Sequence, residues 1–304
     1  MLGRIQKKIE DTYQYILEER LIKQSSKIDI SSVETLCLVA GPYRNLTSLT
    51  ASVAALHPNC QVLNHAKDRI FPHKKVDFFG EYSEKSFNQF MQYAILLSGS
   101  GQRGRYGGSI TLSHAFDKSE VKYLFQNRYK NSLVKEDIRC LFWKEGLHLK
   151  NHLLEKEVDV LELIKYNDKI RYILPIRNPL DCAVSNQKTN LALIFNQISD
   201  QSTLQDIIKA ILDEFLIYFQ NQKKRTAHFF HFYEHTFDKN VLEKFCEYIS
   251  LPFDDQWCDD VIKIYNIKPS YNHSPDDINF YKKYVSEIFS EFPIESKQLL
   301  KFVE

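Results

Sequence analysis

Five short apolar runs punctuate the chain, and the stretches between them repeat their apolar positions every three or four residues. The runs are Thr35–Ala40, Gln61–Leu63, Ile138–Trp143, Ile170–Ile176 and Ala227–Phe232, rich in β-branched and aromatic residues and four to seven residues long or shorter, as buried strands are. Helical spacing is predicted over 4–23, 46–56, 147–164, 179–195, 203–222 and 238–249, with a helical tail beyond. Polar QSSK at 24–27 ends the first helix, and Gly41-Pro42 breaks the first strand. Strands alternating with helices predict an α/β fold: a three-layer sandwich whose mostly parallel central sheet is covered on both faces. No internal repeat or interdomain linker interrupts the pattern. The expected organisation is therefore an added N-terminal helix at 1–30 followed by one α/β domain at 31–304.

Charge changes this picture little. The formal net charge of the 304 residues is +1, which argues against a general nucleic-acid binder but leaves room for a local basic pocket. No stretch reaches the ~20 apolar residues of a membrane span, and the opening MLGRIQKKIEDTYQYILEER lacks the apolar core of a secretory signal. The six cysteines form no CxxC pair and no zinc spacing, so buried free thiols, a cytoplasmic setting and no bound metal are expected. Glycine is unevenly used. Of nine, five lie in SGSGQRGRYGGS at 98–109, which with Arg103 and Arg105 reads as a mobile basic loop: either a plain connection or a cover over a substrate.

Two segments carry the candidate chemistry. In AGPYRNLTSLTASVAALHP a turn follows a buried strand and leads into a helix, so backbone N–H groups and the positive end of the helix face one point. Arg44 adds a forked donor, and Thr47 and Ser48 add hydroxyls, all suited to phosphate oxygens. The second glycine and the lysine of GxxxxGK[ST] are missing, which counts against an ordinary ATPase. The plain alternative is a capped helix with a surface arginine. In IRYILPIRNPLDCAVSNQKT a strand ends at Arg177, Pro179 suits a first helical turn, and Ser185 follows two turns on. These side chains can converge on an anion; alternatively Arg177 pairs with Asp181 and Ser185 faces solvent.

Together these segments resemble the sulfotransferases that use 3′-phosphoadenosine 5′-phosphosulfate (PAPS). That family places a PRSGTT loop, often followed by HP, on the 5′-phosphate and an RNPxDxxxS segment on the 3′-phosphate. Here the chain reads PYRNLTS…HP over 42–58 and RNPLDCAVS over 177–185, and FFHFYEHTFDKNVLEKFCEYISLPFDD at 229–255 is similar to the family's following strand and YE loop. The resemblance, in order over about 35–255, implies the P-loop-like sulfotransferase fold. It implies that Arg44, Asn45, Thr47 and Ser48 hold the 5′-phosphate side and Arg177 and Ser185 the 3′-phosphate. Asn45 and Leu46 depart from the pattern, standing where the family has Ser and Gly. If position 46 requires positive φ, leucine there costs about 1–2 kcal/mol.

Sulfuryl transfer needs an in-line approach, charge stabilisation on the leaving phosphate and a base for the acceptor's proton. His65 falls where the tyrosylprotein branch of the family carries its catalytic glutamate, so the resemblance makes it the base, with His114 in reserve; a His that merely lines the second strand is the alternative. Lys144, after the middle strand, would stabilise the bridging oxygen, or else pair with Glu145 at the surface. Asn64 could orient an acceptor. His228 and His231 read as packing residues, and Tyr233-Glu234 as a structural link. Lys268, Ser270 and Tyr271 stand where the family closes a loop over the nucleotide. The implied activity is PAPS-dependent transfer to a hydroxyl or amine of a carbohydrate or small molecule. The rivals are a degenerate nucleotide-binding relative and an atypical P-loop kinase. The N-terminal helix is a possible homo-oligomer contact.

Overall fold

The computed structural model describes residues 2–103, 106–130, 132–265 and 271–304, with nothing said of side chains for 2–11 and 119. Six strands form one sheet: β1 (Thr35–Val39), β2 (Cys60–Asn64), β3 (Gly108–Ser109), β4 (Cys140–Lys144), β5 (Ile170–Ile176) and β6 (Phe229–Tyr233), in the order β3-β2-β4-β1-β5-β6. All pairings are parallel except that of the two-residue β3 with β2. Among the described residues no helix is long and apolar enough to cross a membrane.

Side-chain alternation along each strand feeds two separate cores, which is what makes three layers. Leu36, Leu38, Leu63, Leu141, Trp143, Leu174 and Ile176 face one core, covered by α1 (Leu2–Ser25), α4 (Glu84–Ser98), α6 (Leu147–Glu155), α7 (Val160–Tyr166), α8 (Pro179–Lys188), α9 (Leu204–Lys224) and α12 (Pro275–Ile288). Cys37, Val39, Val62, Cys140, Phe142, Ile173 and Phe232 face the other, covered by α2 (Thr47–Leu56), α5 (Ser119–Tyr129), α10 (Lys239–Tyr248) and α11 (Asp255–Ile264). The short α3 (Lys67–Ile70) follows β2, and α13 (Pro293–Leu300) closes the chain. All six cysteines are buried free thiols. The N-terminal helix is fastened to this body by Glu18, 1% exposed, which accepts from Arg69 of α3 at 2.9 Å and from the Tyr93 hydroxyl of α4.

Three expectations need correction. The helix expected over 147–164 is two helices, because Glu157 takes φ 56° and Asp159 caps a new start by accepting from Leu161 N–H at 2.8 Å. The helix expected to run to 195 stops at Lys188, where Asn190 turns left-handed (φ 55°). The glycine-rich stretch is partly a strand: Gly108 and Ser109 make β3. A Cβ at Gly108 would sit 2.1 Å from the Ser100 carbonyl, so close backbone approach explains this glycine.

Lys135 ties α2 to β2. Its ammonium donates to the carbonyls of Ala55 and His57 at 2.7 Å each and to that of Cys60, filling acceptors that the end of α2 leaves open. Lys135→Met keeps the stem but strips all three carbonyls of their donor. It should cost roughly 2–3 kcal/mol and lower Tm by a few degrees; an unchanged thermal midpoint would contradict this role.

Candidate functional site

The carboxyl ends of β1, β2, β4 and β5 lie together at one end of the sheet, the side on which parallel α/β sheets form their ligand crevice. The β1–α2 loop enters it through three positive-φ residues, Gly41 (87°), Arg44 (63°) and Leu46 (61°). Leu46 occupies the N-cap of α2 in the left-handed region, so the condition under which leucine costs about 1–2 kcal/mol is met. Beyond it, among the described residues, the N–H groups of Asn45 to Leu49 donate to no backbone carbonyl, and the hydroxyls of Thr47 and Ser48 make no hydrogen bond within the chain. A ten-residue helix thus aims its donors and dipole into the crevice.

The two sequence segments meet here. Arg44 Nε donates to Ser185 Oγ at 2.7 Å, across 141 residues of chain. Arg177 donates to the Arg44 carbonyl at 3.4 Å and lies 3.3 Å from the Asp181 carboxylate. The pairing of Arg177 with Asp181, weighed as an alternative above, is therefore present together with the convergence. Ser185 is 2% exposed and faces inward. Asn45 differs from its expected role. It is fully buried, its Nδ2 donates to the Pro175 carbonyl, and its Oδ1 accepts from Arg177 N–H at 2.9 Å. Both ends of the amide are engaged, so its side chain positions the loop instead of reaching a ligand. Asn186 adds a second tie, donating to the Tyr43 carbonyl at 2.7 Å.

His65 and Lys144 come together beside this donor-lined loop. Lys144 Nζ is 3.0 Å from His65 Nε2 and donates to Asn64 Oδ1 at 3.4 Å. Burial pushes the Lys144 ammonium down to about 8, with Glu145 opposing and Arg44 adding to the shift. His65 (φ 59°) and Ala66 (φ 81°) are consecutive left-handed residues, a conformation held by their surroundings. His65 N–H donates to the Lys144 carbonyl at 3.0 Å, and Trp143 Nε1 donates to the His65 carbonyl. Gly107 presses on the same turn: a Cβ there would lie 2.1 Å from the Asn64 carbonyl and 2.9 Å from His65 Cβ. The glycine-rich segment therefore braces the His65 turn. Tyr43 stacks on His65 with ring centroids 6.2 Å apart, and burial, then Glu145, holds its phenol well above the usual value.

Other sequence candidates fall elsewhere. His114 is exposed and sits 3.2 Å from Asp117, which also pairs with Arg103; it makes no contact with His65 or Lys144. His228 bonds to the Ile170 carbonyl at 2.9 Å, and His231, buried and pushed down to about 4, bonds to Gln222. Both are packing residues. Glu234 accepts from Asn178 N–H at 2.9 Å and so links β6 to the start of α8. Arg105, Lys268 and Ser270 lie outside the described residues. Tyr271 lies under Lys188, 4.3 Å from its ring centre. Sequence reasoning missed His273, 2.9 Å from Asp181, and the part played by Glu145 and Tyr43. His273 had no motif to mark it, whereas Glu145 was adjacent to a lysine already singled out.

No family model matches the chain, and no curated protein matches it in sequence. Among solved structures, mouse sulfotransferase SULT7A1 complexed with PAP aligns over 93% of this chain and 93% of its own, at 10% identity and a TM-score of 0.42. Sulfotransferase STF9 from Mycobacterium avium aligns over 90% of this chain and 79% of its own, at 11% identity and a TM-score of 0.42. At that distance, function is read from this chain's own side chains.

Positioning and ligand-facing residues separate by experiment. Asn45→Ala leaves a buried carbonyl and a buried N–H without partners and should cost roughly 2–4 kcal/mol of stability. Arg44→Ala removes an exposed side chain and leaves only the Ser185 hydroxyl without its donor, so it should cost no more than about 1 kcal/mol. Equal thermal midpoints for the two variants would refute this division.

Proposed function

We propose that the chain is a sulfotransferase that moves a sulfuryl group from PAPS to a hydroxyl or amine of a carbohydrate or small-molecule acceptor. The observation that carries this reading is the 2.7 Å contact of Arg44 with Ser185, which draws both anion-binding segments to one crevice beside Lys144 and His65. Thr47, Ser48 and the free N–H groups of α2 would cradle the 5′-phosphate, with Arg177 and Ser185 on the 3′-phosphate. Arg44, lying between them, would exchange its serine for phosphate oxygens. The acceptor's proton passes to His65 Nε2 as its oxygen attacks sulfur, and the sulfur–bridging-oxygen bond breaks with its electron pair leaving on the 5′-phosphate. Lys144 offsets that developing charge.

A nucleotide binder that transfers nothing is the second reading, and the strained Leu46 in the phosphate loop is what favours it.

Calorimetric titration with 3′-phosphoadenosine 5′-phosphate (PAP) tests the first. Wild type should bind in the micromolar range, more tightly than 5′-AMP or ATP·Mg, and Arg177→Ala should lose about 30- to 150-fold, equivalent to roughly 2–3 kcal/mol. A preference for ATP·Mg would point to a kinase instead. PAP binding without consumption of PAPS would favour the second reading.

The same titration carries a pH signature. Lys144 loses its proton as pH rises through about 8, so the cation that meets the anionic ligand is present below that pH and absent above it. PAP affinity should fall between about pH 7 and 9, and Lys144→Met should flatten that dependence. A profile identical in wild type and variant would remove Lys144 from the binding site.

A further inference from the structure

Glu145 is 1% exposed, and among the described residues neither carboxylate oxygen has a hydrogen-bond partner in regular geometry, the neighbouring Tyr43 hydroxyl being directed at the Glu145 backbone carbonyl at 3.1 Å. A buried ionised carboxylate is costly unless a positive charge or a donor compensates it. Among the described residues the one basic counterpart of Glu145 within 4 Å is His65, whose Nδ1 lies 3.7 Å from Oε1. We infer that Glu145 is a positioning residue that holds His65 in the tautomer and orientation in which Nε2 is the basic nitrogen, the two working as a carboxylate–imidazole pair. The inference takes its substrate from the sulfotransferase reading and its geometry from the residues alone.

The two flanks of the imidazole agree on the tautomer. Lys144, protonated below about pH 8, can only donate, so Nε2 at 3.0 Å must accept. The single proton of a neutral ring is then on Nδ1, the nitrogen that faces Glu145. The 3.7 Å separation is longer than a hydrogen bond, as catalytic contacts often are before ligand binds, yet short enough for a charge interaction with a carboxylate that is itself buried. Once Nε2 takes the acceptor's proton the ring is a cation with an N–H donor on each nitrogen, and the carboxylate behind Nδ1 offsets that charge. The same cation repels Lys144 and turns its ammonium toward the leaving phosphate. The proton returns to solvent from Nε2 after the product leaves.

Other charged and titratable groups around the ring do not supply this function. Tyr43 lies over the ring and feels the carboxylate, but its hydroxyl donates to the Glu145 carbonyl at 3.1 Å. His148 packs edge-on to Tyr43 and is held below its usual value by burial and then by Lys67, with His65, Glu145 and Asp68 also acting on it. Arg44 acts on Lys144 from the loop. The opening of α6 fixes the carboxylate: Gly146, at φ 63°, turns the chain so closely that a Cβ would sit 3.2 Å from the Gly41 carbonyl. Glu145 is thereby locked to the phosphate loop as well as to His65.

The test is a pH titration of the full chain labelled with 15N-histidine, read by two-bond proton–nitrogen correlation and assigned to residue 65 with His65→Asn. In wild type the neutral His65 ring should carry its proton on Nδ1. In Glu145→Gln, which has the same shape, the neutral ring should lose much of its preference for Nδ1–H, because a neutral amide favours that tautomer less than a carboxylate does; Glu145→Asp should restore most of it. A wild-type ring with its proton on Nε2, or a tautomer preference unmoved in Glu145→Gln, overturns the inference, and the wild-type tautomer with Glu145→Asp decides it should the glutamine variant fail to fold. PAP calorimetry runs beside this: absence of PAP binding sinks the sulfotransferase reading while leaving the pair intact. Where PAPS turnover on 4-nitrophenol can be followed, Glu145→Gln should lower kcat about 10-fold or more with KM for PAPS unchanged. A raised KM with unchanged kcat would make Glu145 a binding group and also overturn the inference.

Discussion

One buried amide continues a strand that has already ended. On the β1 side of β5, the Ile173 carbonyl accepts from Ala40 N–H at 2.8 Å, and β1 then breaks away at Gly41. The next acceptor on that side is the Pro175 carbonyl and the next donor is Arg177 N–H; the Asn45 side chain satisfies both. It mimics a peptide group at the place where a further strand residue would have paired, and the backbone requires some such partner because these groups are buried. Everything about the crevice depends on it. With the amide in place, the β1–α2 loop leaves the sheet, folds back onto β5 and sets Arg44 against Ser185 while α2 points inward.

The loop's strain makes sense against that tie. Arg44 and Leu46 both lie in the left-handed region flanking Asn45, so each costs roughly 1–2 kcal/mol. The same bend frees the N–H groups at the start of α2 and turns Arg44 out of the core. Asn186 reinforces the bend through the Tyr43 carbonyl, so the energy that holds the loop comes from packing and hydrogen bonds on α8 and β5, not from the loop's own sequence.

A second strained turn, at His65 and Ala66, stands opposite. Its conformation is imposed by Trp143, by the Lys144 carbonyl and by the tight seat of Gly107. Between the two turns lie a lysine softened by burial, an imidazole and a buried carboxylate. Groups that would be solvated and independent in water are held in a row, Lys144 at 3.0 Å from His65 and His65 at 3.7 Å from Glu145, and burial lowers the proton affinity of the lysine.

The sequence by itself determined the layers. Short β-branched runs and amphipathic intervals specify strands and helices through local periodicity, and alternation along the strands specifies two cores, so the α/β sandwich was legible before any contact was known. It also marked Arg44, Arg177 and Ser185 as candidates by residue type and place relative to a strand end, and His65 and Lys144 through the resemblance to the sulfotransferases. What it missed were outcomes of backbone dihedrals and of contacts distant in sequence. Nothing local shows that Glu157 and Asn190 turn left-handed, that β3 adds to the edge of the sheet, or that Gly107 serves a histidine. Asn45 read as a phosphate ligand because its place in the motif was visible and the Pro175 carbonyl was not. The Arg44–Ser185 contact spans 141 residues and that of Lys144 with His65 spans 79, and only the folded sheet brings such groups together. A sequence can specify which donors and charges are available; their partners, burial and proton affinities are properties of the shared space that tertiary structure alone creates.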